Sequence, residues 1–379
     1  PPADVVEAGL RTSAVGSVAG FDPTAHMDPV DVRRVPRMVP MALAASWEAL
    51  AQAGWPLTTR DVAVQRRMGI ALGTGGGGLA FVEAQYKAYF LGGTPSLFSI
   101  TAGTHGNLSS ELSIQLGLRG PSHVLSTGCT SSTDAIGYAA AIIRAGVVPA
   151  MLAGGADSPI SPGILSAFEK MRVVSTRRWD RPEASSRPFS ADRDGFVLAE
   201  GAWMFVLESA EHAAARGAAP LAELSGYAST CDAYHRVQIA PELEEPVRAI
   251  ELAMQDASIE PAQVGYVNLH GTGTALNDKL ETKALRRALG RHVGIPMSST
   301  KSMIGHPQGA CGAAGVAATI LCLRQGLAHP TINLEVPDPD CDLDYVPDGP
   351  RRCAAAWALC NCIAFGSKNS ALVLRVGEG

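Results

Sequence analysis

A cysteine with small neighbours stands where a short apolar run gives way to an alanine-rich stretch. Cys129 lies in the segment Ser126-Thr127-Gly128-Cys129-Thr130-Ser131-Ser132. A strand ending there and a helix starting there would put the thiol beside free backbone N–H groups and the positive end of the helix dipole, which lowers the pKa of a thiol. The same N–H groups would stabilise the oxygen of a thioester or of its tetrahedral intermediate. The segment predicts a nucleophilic thiol, with a buried core cysteine as the alternative.

Two histidines lie in small-residue turns of a similar kind. His270 opens the segment His270-Gly271-Thr272-Gly273-Thr274, and His306 closes the segment Lys301-Ser302-Met303-Ile304-Gly305-His306. Lys301 is near enough in sequence to orient His306 or to tune its charge. Each histidine taken alone is as often structural as catalytic. One cysteine together with two histidines, however, is the set that acyl transfer through a thioester needs.

Metal and phosphate chemistry have weaker support. His270 and His306 are far apart in the sequence and neither belongs to a compact ligand motif such as His-Glu-x-x-His, so no metal site is expected. The glycines of residues 73–78 complete neither a phosphate loop nor a dinucleotide fingerprint. Turn and packing roles are expected for them.

The composition narrows the class of protein. The chain has 379 residues, of which 46% are hydrophobic and 18% charged, so extensive disorder is excluded. A formal net charge of −5 lacks the basic excess of a nucleic-acid-binding protein. No apolar stretch approaches the roughly 20 residues that span a bilayer, so no membrane partner is expected. The 8 cysteines form no Cys-x-x-Cys pair, which favours reduced thiols and a cytoplasmic protein.

The elements that would position these groups alternate between helix and strand, which predicts an α/β fold. Strands are predicted at residues 71–78 (running into the glycines), 122–126, 150–155, 201–208 and 265–269, and helices at residues 38–54, 131–145 and 244–257. Residues 126–146 and 299–326 each contain a small-residue turn followed by an alanine-rich helix. This internal similarity suggests two related halves, residues 1–210 with the cysteine and residues 211–379 with both histidines.

Five segments together resemble the successive motifs of β-ketoacyl-ACP synthases of the thiolase superfamily. They are 126–131, Asp192-Arg193-Asp194-Gly195-Phe196-Val197, 270–274, 301–306 and Phe365-Gly366. The resemblance covers nearly the whole chain and implies a thiolase-like, five-layer αβαβα fold of two related halves that pairs as a dimer. The chain resembles β-ketoacyl-ACP synthase II, and within that group Thr-Gly-Cys-Thr-Ser looks more like the ketosynthase subunit of bacterial type II polyketide systems than like the fatty-acid enzymes. A fatty-acid elongation synthase is the alternative.

The resemblance also implies a role for each matched residue. Cys129 would carry the growing acyl chain, while His270 and His306 would bind malonyl thioester and stabilise the enolate formed on loss of carbon dioxide. The backbone N–H groups of Cys129 and Phe365 would form the oxyanion hole, with Phe365 also matching a gating residue. Lys301 and Glu281 would organise the site. Substrate contacts are expected from Thr272, Thr274 and Glu281, the two threonines at the phosphopantetheine arm.

The implied partner is an acyl carrier protein, which brings the phosphopantetheine, so the enzyme needs no cofactor of its own. The resemblance further implies either a heterodimer with a chain-length-factor-like subunit or a homodimer. Carrier proteins are acidic, so a basic docking surface is expected, and Arg33, Arg34 and Arg37 are the candidates. A merely solvated helix face is the alternative. Two other classes of protein stay open, a non-catalytic acyl-binding protein and a Cys/His hydrolase.

Overall fold

The computed structural model describes residues 3–56, 60–366 and 368–377. The strands in these residues are β1 (Val15–Gly16), β2 (Met68–Gly73), β3 (Ser122–Leu125), β4 (Ala150–Asp157), β5 (Leu198–Ala199), β6 (Gly201–Glu208), β7 (Glu223–Cys231), β8 (Val264–Asn268), β9 (Met297–Ser298), β10 (Leu327–Ala328), β11 (Arg351–Arg352), β12 (Trp357–Ala364) and β13 (Lys368–Arg375). The α-helices are α1 (Ala3–Glu7), α2 (Pro29–Val32), α3 (Met38–Gln52), α4 (Val62–Gln65), α5 (Leu79–Phe90), α6 (Ser99–Gly103), α7 (His105–Leu116), α8 (Ser131–Arg144), α9 (Pro162–Met171), α10 (Ala210–Ala215), α11 (Glu244–Asp256), α12 (Ala275–Leu289), α13 (Lys301–Ile304) and α14 (Cys311–Gln325).

Two larger sheets repeat one pattern of strand directions. In the first sheet, of order β3-β2-β4-β6, the first three strands are parallel and β6 is antiparallel to β4. In the second sheet, of order β9-β8-β12-β13-β7, the first three strands are again parallel and β13 is antiparallel to β12. β7 adds a further antiparallel strand beside β13. Every residue of β2 and of β4 is buried, as their continuous runs of apolar and small residues predict for strands covered on both faces.

The helices complete five layers. α8 and α14 lie between the two sheets, with α8 against β2, β4 and β13 and α14 against β6, β8 and β12. α3 and α7 cover the outer face of the first sheet, and α11 and α12 that of the second. The α/β thiolase-like fold expected from the sequence is confirmed, and the predicted strands and longer helices lie within about two residues of their observed bounds. The exception is the strand predicted at residues 71–78, which lies at Met68–Gly73 and ends before the glycine run.

Small residues let the two central helices approach each other closely. A Cβ atom on Gly312 of α14 would lie 2.0 Å from Oγ1 of Thr133 on α8, and one on Gly137 of α8 would lie 2.3 Å from the Tyr227 ring on β7. The alanine and glycine content that made the two helices look alike in sequence is therefore a packing requirement. In the part of the chain that the structure describes, no helix is both long and apolar enough to cross a membrane.

Candidate active site

Cys129 lies on a tight turn between β3 and α8. Residues Gly128–Thr130 form one turn of 3₁₀-helix that leads directly into α8, and Gly128 takes the left-handed conformation at φ 71°. The turn is fixed by Ser131, whose hydroxyl donates to the Gly128 carbonyl (2.6 Å) and accepts from the Thr127 amide (2.9 Å). The Cys129 side chain is only 4% exposed. The strand-turn-helix placement expected from the sequence is the one observed.

His306 reaches the thiol from the start of the other central helix. Its backbone is held on both sides, since its amide donates to the Val197 carbonyl (2.7 Å) and its carbonyl accepts from the Ala199 amide (3.0 Å). The edge of the Phe196 ring meets the imidazole at a centroid distance of 5.1 Å. The Nε2 atom consequently lies 3.2 Å from the Cys129 sulfur. Residues of the Asp192–Val197 motif thus position His306, a role that the motif alone did not indicate.

His270 follows the carboxyl end of β8 and completes the group. Its ring centroid lies 5.5 Å from that of His306 at an interplanar angle of 86°. One ligand-type atom from each of Cys129, His270 and His306 lies within 4.8 Å of the other two. The separation of the two histidines in the sequence therefore does not keep them apart in space, and the absence of a metal site stays a prediction. The three side chains are all buried and form one cluster.

Lys301 orients His270 rather than His306, although burial and then the charge of Lys301 lower the pKa of His306, as the second expectation had it. Its ammonium group donates to the His270 carbonyl oxygen (2.6 Å) and lies 3.4 Å from His270 Nδ1. Closeness in the chain predicted a position beside His306, but α13 turns the lysine toward the end of β8. An ammonium group only donates hydrogen bonds, so Nδ1 accepts and the proton of the neutral ring is assigned to Nε2.

Two buried acids of α12 hold the loop that carries His270. Glu281 accepts hydrogen bonds from the amides of His270 and Gly271 (both 2.7 Å) and from the Asn361 side chain (2.7 Å). Asp278, one turn earlier, accepts from the amides of Thr272 and Gly273 (3.1 and 3.3 Å). Glu281 is fully buried and bonded to protein groups, so we revise it from a substrate contact to a positioning residue.

Asp278 was missed in the sequence analysis. The sequence does contain a signal for it, because Asp278 and Glu281 are three positions apart and therefore lie on one face of a helix. Arg193 of the Asp192–Val197 motif pairs with Asp278 (3.3 Å) and with Asp338 (2.6 Å), which ties the loop to that motif.

The remaining expected contact residues differ in their exposure. Thr272 is buried and Thr274 half-buried, and their hydroxyl groups hydrogen-bond to each other at 2.9 Å. Phe365 lies in the turn between β12 and β13, and its amide donates a hydrogen bond to the Cys129 sulfur. Its half-buried ring packs on the cluster that contains Phe196. One of the two amides expected to form an oxyanion hole, that of Phe365, therefore lies beside the nucleophile.

Burial controls the charges in the pocket. It raises the pKa of Cys129 above its ordinary value, and the neighbouring Cys311 raises it further, while Lys301 and the Phe365 amide oppose the shift. The expectation of a lowered thiol pKa is therefore wrong, since loss of solvation outweighs the helix dipole. Burial and the charge of Lys301 lower the pKa of His270 to about 3, so this ring is neutral near pH 7. Burial alone would lower the pKa of Lys301, but the adjacent Cys311, Cys362 and Glu281 raise it, which keeps the ammonium charged.

The glycines of residues 73–78 serve packing, as expected. The loop that follows β2 wraps the buried Asp157 carboxylate, which accepts from the amides of Gly75 (2.7 Å), Gly76 (3.1 Å) and Gly309 (2.9 Å). A Cβ atom on Gly309 would lie 2.1 Å from the Gly75 nitrogen. This contact seats the segment after His306 against the first sheet.

The three expected docking arginines are exposed but have different environments. Arg34 pairs with the nearby Asp31 (2.9 Å) and lies over the Phe98 ring. Arg37 pairs with the buried Glu200 (3.0 Å) and donates to the Val18 carbonyl. Its guanidinium group therefore holds the segment around Val18 to the chain after β5, and we remove Arg37 from the docking surface. Arg33 and Arg34 remain candidates.

Comparison with protein families gives two matches that cover most of the chain. A family described as "Beta-ketoacyl synthase, N-terminal domain" matches residues 5–213, and "Beta-ketoacyl synthase, C-terminal domain" matches residues 221–335. A "Putative polyketide beta-ketoacyl synthase 1" of Streptomyces halstedii is 42% identical over 97% of this chain and 88% of its own length. A "3-oxoacyl-[acyl-carrier-protein] synthase 2" of Vibrio harveyi is 40% identical over the same shares, 97% and 88%.

Solved structures agree with these matches. A type II polyketide acyl-carrier protein in complex with its ketosynthase bound to the hexaketide superposes with a TM-score of 0.88 at 33% identity, over 97% of this chain and 89% of that one. The ishigamide ketosynthase/chain length factor superposes with a TM-score of 0.86 at 30% identity, over 96% and 87%.

Proposed function

The chain belongs to the β-ketoacyl synthase family, whose members are condensing acyltransferases, and from this premise we propose that it is the catalytic ketosynthase subunit of a type II polyketide system. The observation that carries the proposal is the buried contact between the Cys129 sulfur and His306, with His270 in the same pocket. A subunit of this family without a nucleophile would have no use for that arrangement.

The first step loads the acyl chain onto Cys129. The raised pKa keeps the sulfur protonated at neutral pH, so attack on the carrier protein's thioester needs a base. His306 Nε2, at 3.2 Å, takes the thiol proton while the sulfur bonds to the acyl carbon. The pantetheine sulfur leaves and receives that proton. The acyl group is then held as a thioester on Cys129.

The second step joins malonyl thioester to that acyl group. The Nε2–H group of His270 donates to the malonyl thioester carbonyl. His306 is neutral again after loading and exchanges its ring proton with solvent, so that Nε2 carries a proton and donates as well. The two imidazoles stabilise the enolate oxygen as carbon dioxide leaves. The enolate carbon attacks the acyl carbon on Cys129, and the amides of Cys129 and Phe365 stabilise the resulting oxyanion. The Cys129 sulfur leaves, and the chain is longer by two carbons.

Phosphopantetheine reaches the site on the carrier protein, and Thr272 and Thr274 are proposed to contact this arm.

We assign the reaction to the cytoplasm. The described cysteines, all free thiols, are compatible with a reducing compartment.

We place the boundary between the two halves near residue 210, because the first sheet ends with β6 at Glu208 and the second begins with β7 at Glu223.

A partner subunit is supported by an apolar surface beside the first sheet. Large apolar side chains on and between α5, α6 and α7 are 49–89% exposed, namely Leu79, Tyr86, Tyr89, Phe90, Leu91, Leu97, Ile100 and, at 71%, Ile114. A monomer seldom exposes so large an apolar patch. β3, which leads into Cys129, is an end strand of its sheet and α7 packs beside it. We propose that a chain-length-factor-like subunit covers this apolar surface.

We propose further that an acyl carrier protein docks at the exposed arginines Arg33 and Arg34.

The alternative is fatty-acid elongation, which is favoured by the alignment with the Vibrio harveyi synthase over the same shares of the two chains, 97% and 88%. The polyketide and fatty-acid functions are distinguished by purifying the chain alone and together with the proteins encoded by its neighbouring genes. The mass of each complex and the acyl chains that it makes are then determined. A heterodimer that builds keto-bearing chains supports the proposal. A homodimer that is fully active alone on saturated acyl-ACP would establish the alternative.

A further inference from the structure

Two buried thiols beside the pocket have no part in the proposed reaction. Cys311 begins α14 and Cys362 lies in β12, and both are less than 5% exposed. Their sulfur atoms lie 3.2 and 3.1 Å from the same backbone oxygen, that of Cys129. Two thiols thus converge from different elements on the backbone of the nucleophile.

The distances among these thiols and His270 are those of a tetrahedral metal site. The two sulfur atoms are 3.8 Å apart, and the Cys362 sulfur lies 3.3 Å from His270 Nδ1. Ligand atoms from Cys311, Cys362 and His270 all lie within 4.8 Å of one another. With metal–sulfur bonds of about 2.3 Å and metal–nitrogen bonds of about 2.0 Å, tetrahedral geometry separates two sulfurs by about 3.8 Å and a sulfur from a nitrogen by about 3.5 Å. Two of the three separations therefore match a tetrahedral site to within a few tenths of an ångström, and the third, between Cys311 and His270, is below 4.8 Å.

We propose that Cys311, Cys362 and His270 form a binding site for a thiophilic divalent cation of the Zn²⁺ type. On binding, both sulfurs coordinate as thiolates, with any thiol proton passing to solvent, and each exchanges its contact with the Cys129 carbonyl oxygen for a metal–sulfur bond. His270 Nδ1 supplies its lone pair as the third ligand. The fourth position stays open to water, as in zinc sites with three protein ligands.

Lys301 is the group that competes with the ion. Its ammonium lies 3.4 Å from Nδ1 and gives up this contact on metal binding, but it keeps its 2.6 Å bond to the His270 carbonyl oxygen. Two thiolates neutralise the charge of a divalent ion, so the ammonium then faces a neutral cluster. Harder cations such as Mg²⁺ prefer oxygen ligands and are excluded by the sulfurs.

The site has a consequence for catalysis, which rests on the proposed function. His270 belongs to both buried clusters, because a nitrogen of its ring also lies within 4.8 Å of the Cys129 sulfur and of a His306 ring nitrogen. A bound ion would therefore fix the His270 ring beside the nucleophile and interfere with its part in decarboxylation. Zinc should therefore inhibit condensation reversibly, with activity restored by a chelator.

Binding is tested without turnover in a Cys129→Ala background, which removes the other possible cluster of Cys129, His270 and His306. Anaerobic titration with Co²⁺ should give one equivalent of tetrahedral cobalt with a sulfur-to-cobalt charge-transfer band, and Zn²⁺ should displace it. Adding Cys311→Ala or Cys362→Ser should weaken binding more than about tenfold and remove the band. Cys360→Ser is the matched control, because Cys360 is a buried thiol of the same strand that is bonded to Thr319.

The proposal of this metal site would be overturned if the sulfur-to-cobalt charge-transfer band were absent from the Cys129→Ala protein. It would also be overturned if the band persisted after both Cys311 and Cys362 were replaced. So would a Cys311–Cys362 disulfide formed in place of the metal complex, seen as two fewer titratable thiols. In the active protein, Cys311→Ala should raise the zinc concentration for half-inhibition by more than about tenfold. Cobalt binding in a protein that never condenses acyl chains would disprove the proposed function and leave the metal site standing.

Discussion

The Nε2 atom of His306 lies 3.2 Å from the sulfur of Cys129, although the two residues are 177 positions apart in the chain. Each residue stands just ahead of one of the two central helices, α8 and α14. The distance between base and nucleophile is therefore set by how closely these helices pack.

Helix spacing is tested with Gly312→Ala. A Cβ atom there would lie 2.0 Å from Oγ1 and 2.9 Å from the backbone nitrogen of Thr133, so α14 must move away from α8. We expect a loss of about 1–3 kcal/mol in the free energy of unfolding and reduced acylation of Cys129. Gly106→Ala is the control, since no atom lies within 4 Å of a Cβ at that helical glycine. Equal stability of the two variants would contradict the account.

Loss of either imidazole should impair malonyl decarboxylation. His270→Ala and His306→Ala each remove a donor to the enolate oxygen, and we expect rates lower by about 10²–10³-fold. The measurement is carbon dioxide release from malonyl-ACP, with His292→Ala as a control outside the pocket. Decarboxylation at the normal rate in both pocket variants would refute the roles given to these histidines.

The low pKa of His270 makes stability depend on pH. The unfolded histidine titrates near 6.5 and the folded one near 3, so between these values the unfolded state binds more protons and stability falls as pH falls. From pH 7 to pH 5 His270 should cost about 2 kcal/mol. Urea unfolding at both pH values should show a smaller loss, by about that amount, in His270→Gln. Identical pH sensitivity of the two proteins would show that His270 titrates normally.

Carrier docking is tested by charge reversal at Arg34. Arg34→Glu should raise KM for acyl-ACP and spare a short pantetheine thioester, with the effect shrinking as salt is added. Arg248→Glu is a matched control, because both arginines are exposed and pair with an acid three positions earlier. A rise in KM for both substrates, or for the control as well, would place docking elsewhere.

Much of this architecture is readable in the sequence. Apolar runs that end in Gly/Ser/Thr turns mark the strand ends where Cys129 and His270 lie, and the repeated alanine-rich helices mark the two halves. These signals are local in the sequence, so they can be interpreted without knowledge of how the elements pack.

Other features depend on contacts between distant segments. The partner of Lys301 follows from how α13 meets the end of β8, and the pairing of Arg37 with Glu200 follows from how the early loop crosses the chain near β5. The raised pKa of Cys129 follows from complete burial, which small neighbouring residues did not reveal. Cys311 and Cys362 looked like ordinary core cysteines because nothing in their spacing predicts that they meet at Cys129.

The central claim is that Cys129 carries the acyl chain that the enolate attacks. Intact-protein mass spectrometry after incubation with acyl-ACP should show one acyl adduct, mapped to Cys129 and absent from Cys129→Ala. Malonyl-ACP should then discharge it with one carbon dioxide released per chain extended. An adduct that maps to another residue, or that is released as free acid without carbon dioxide, would contradict the account.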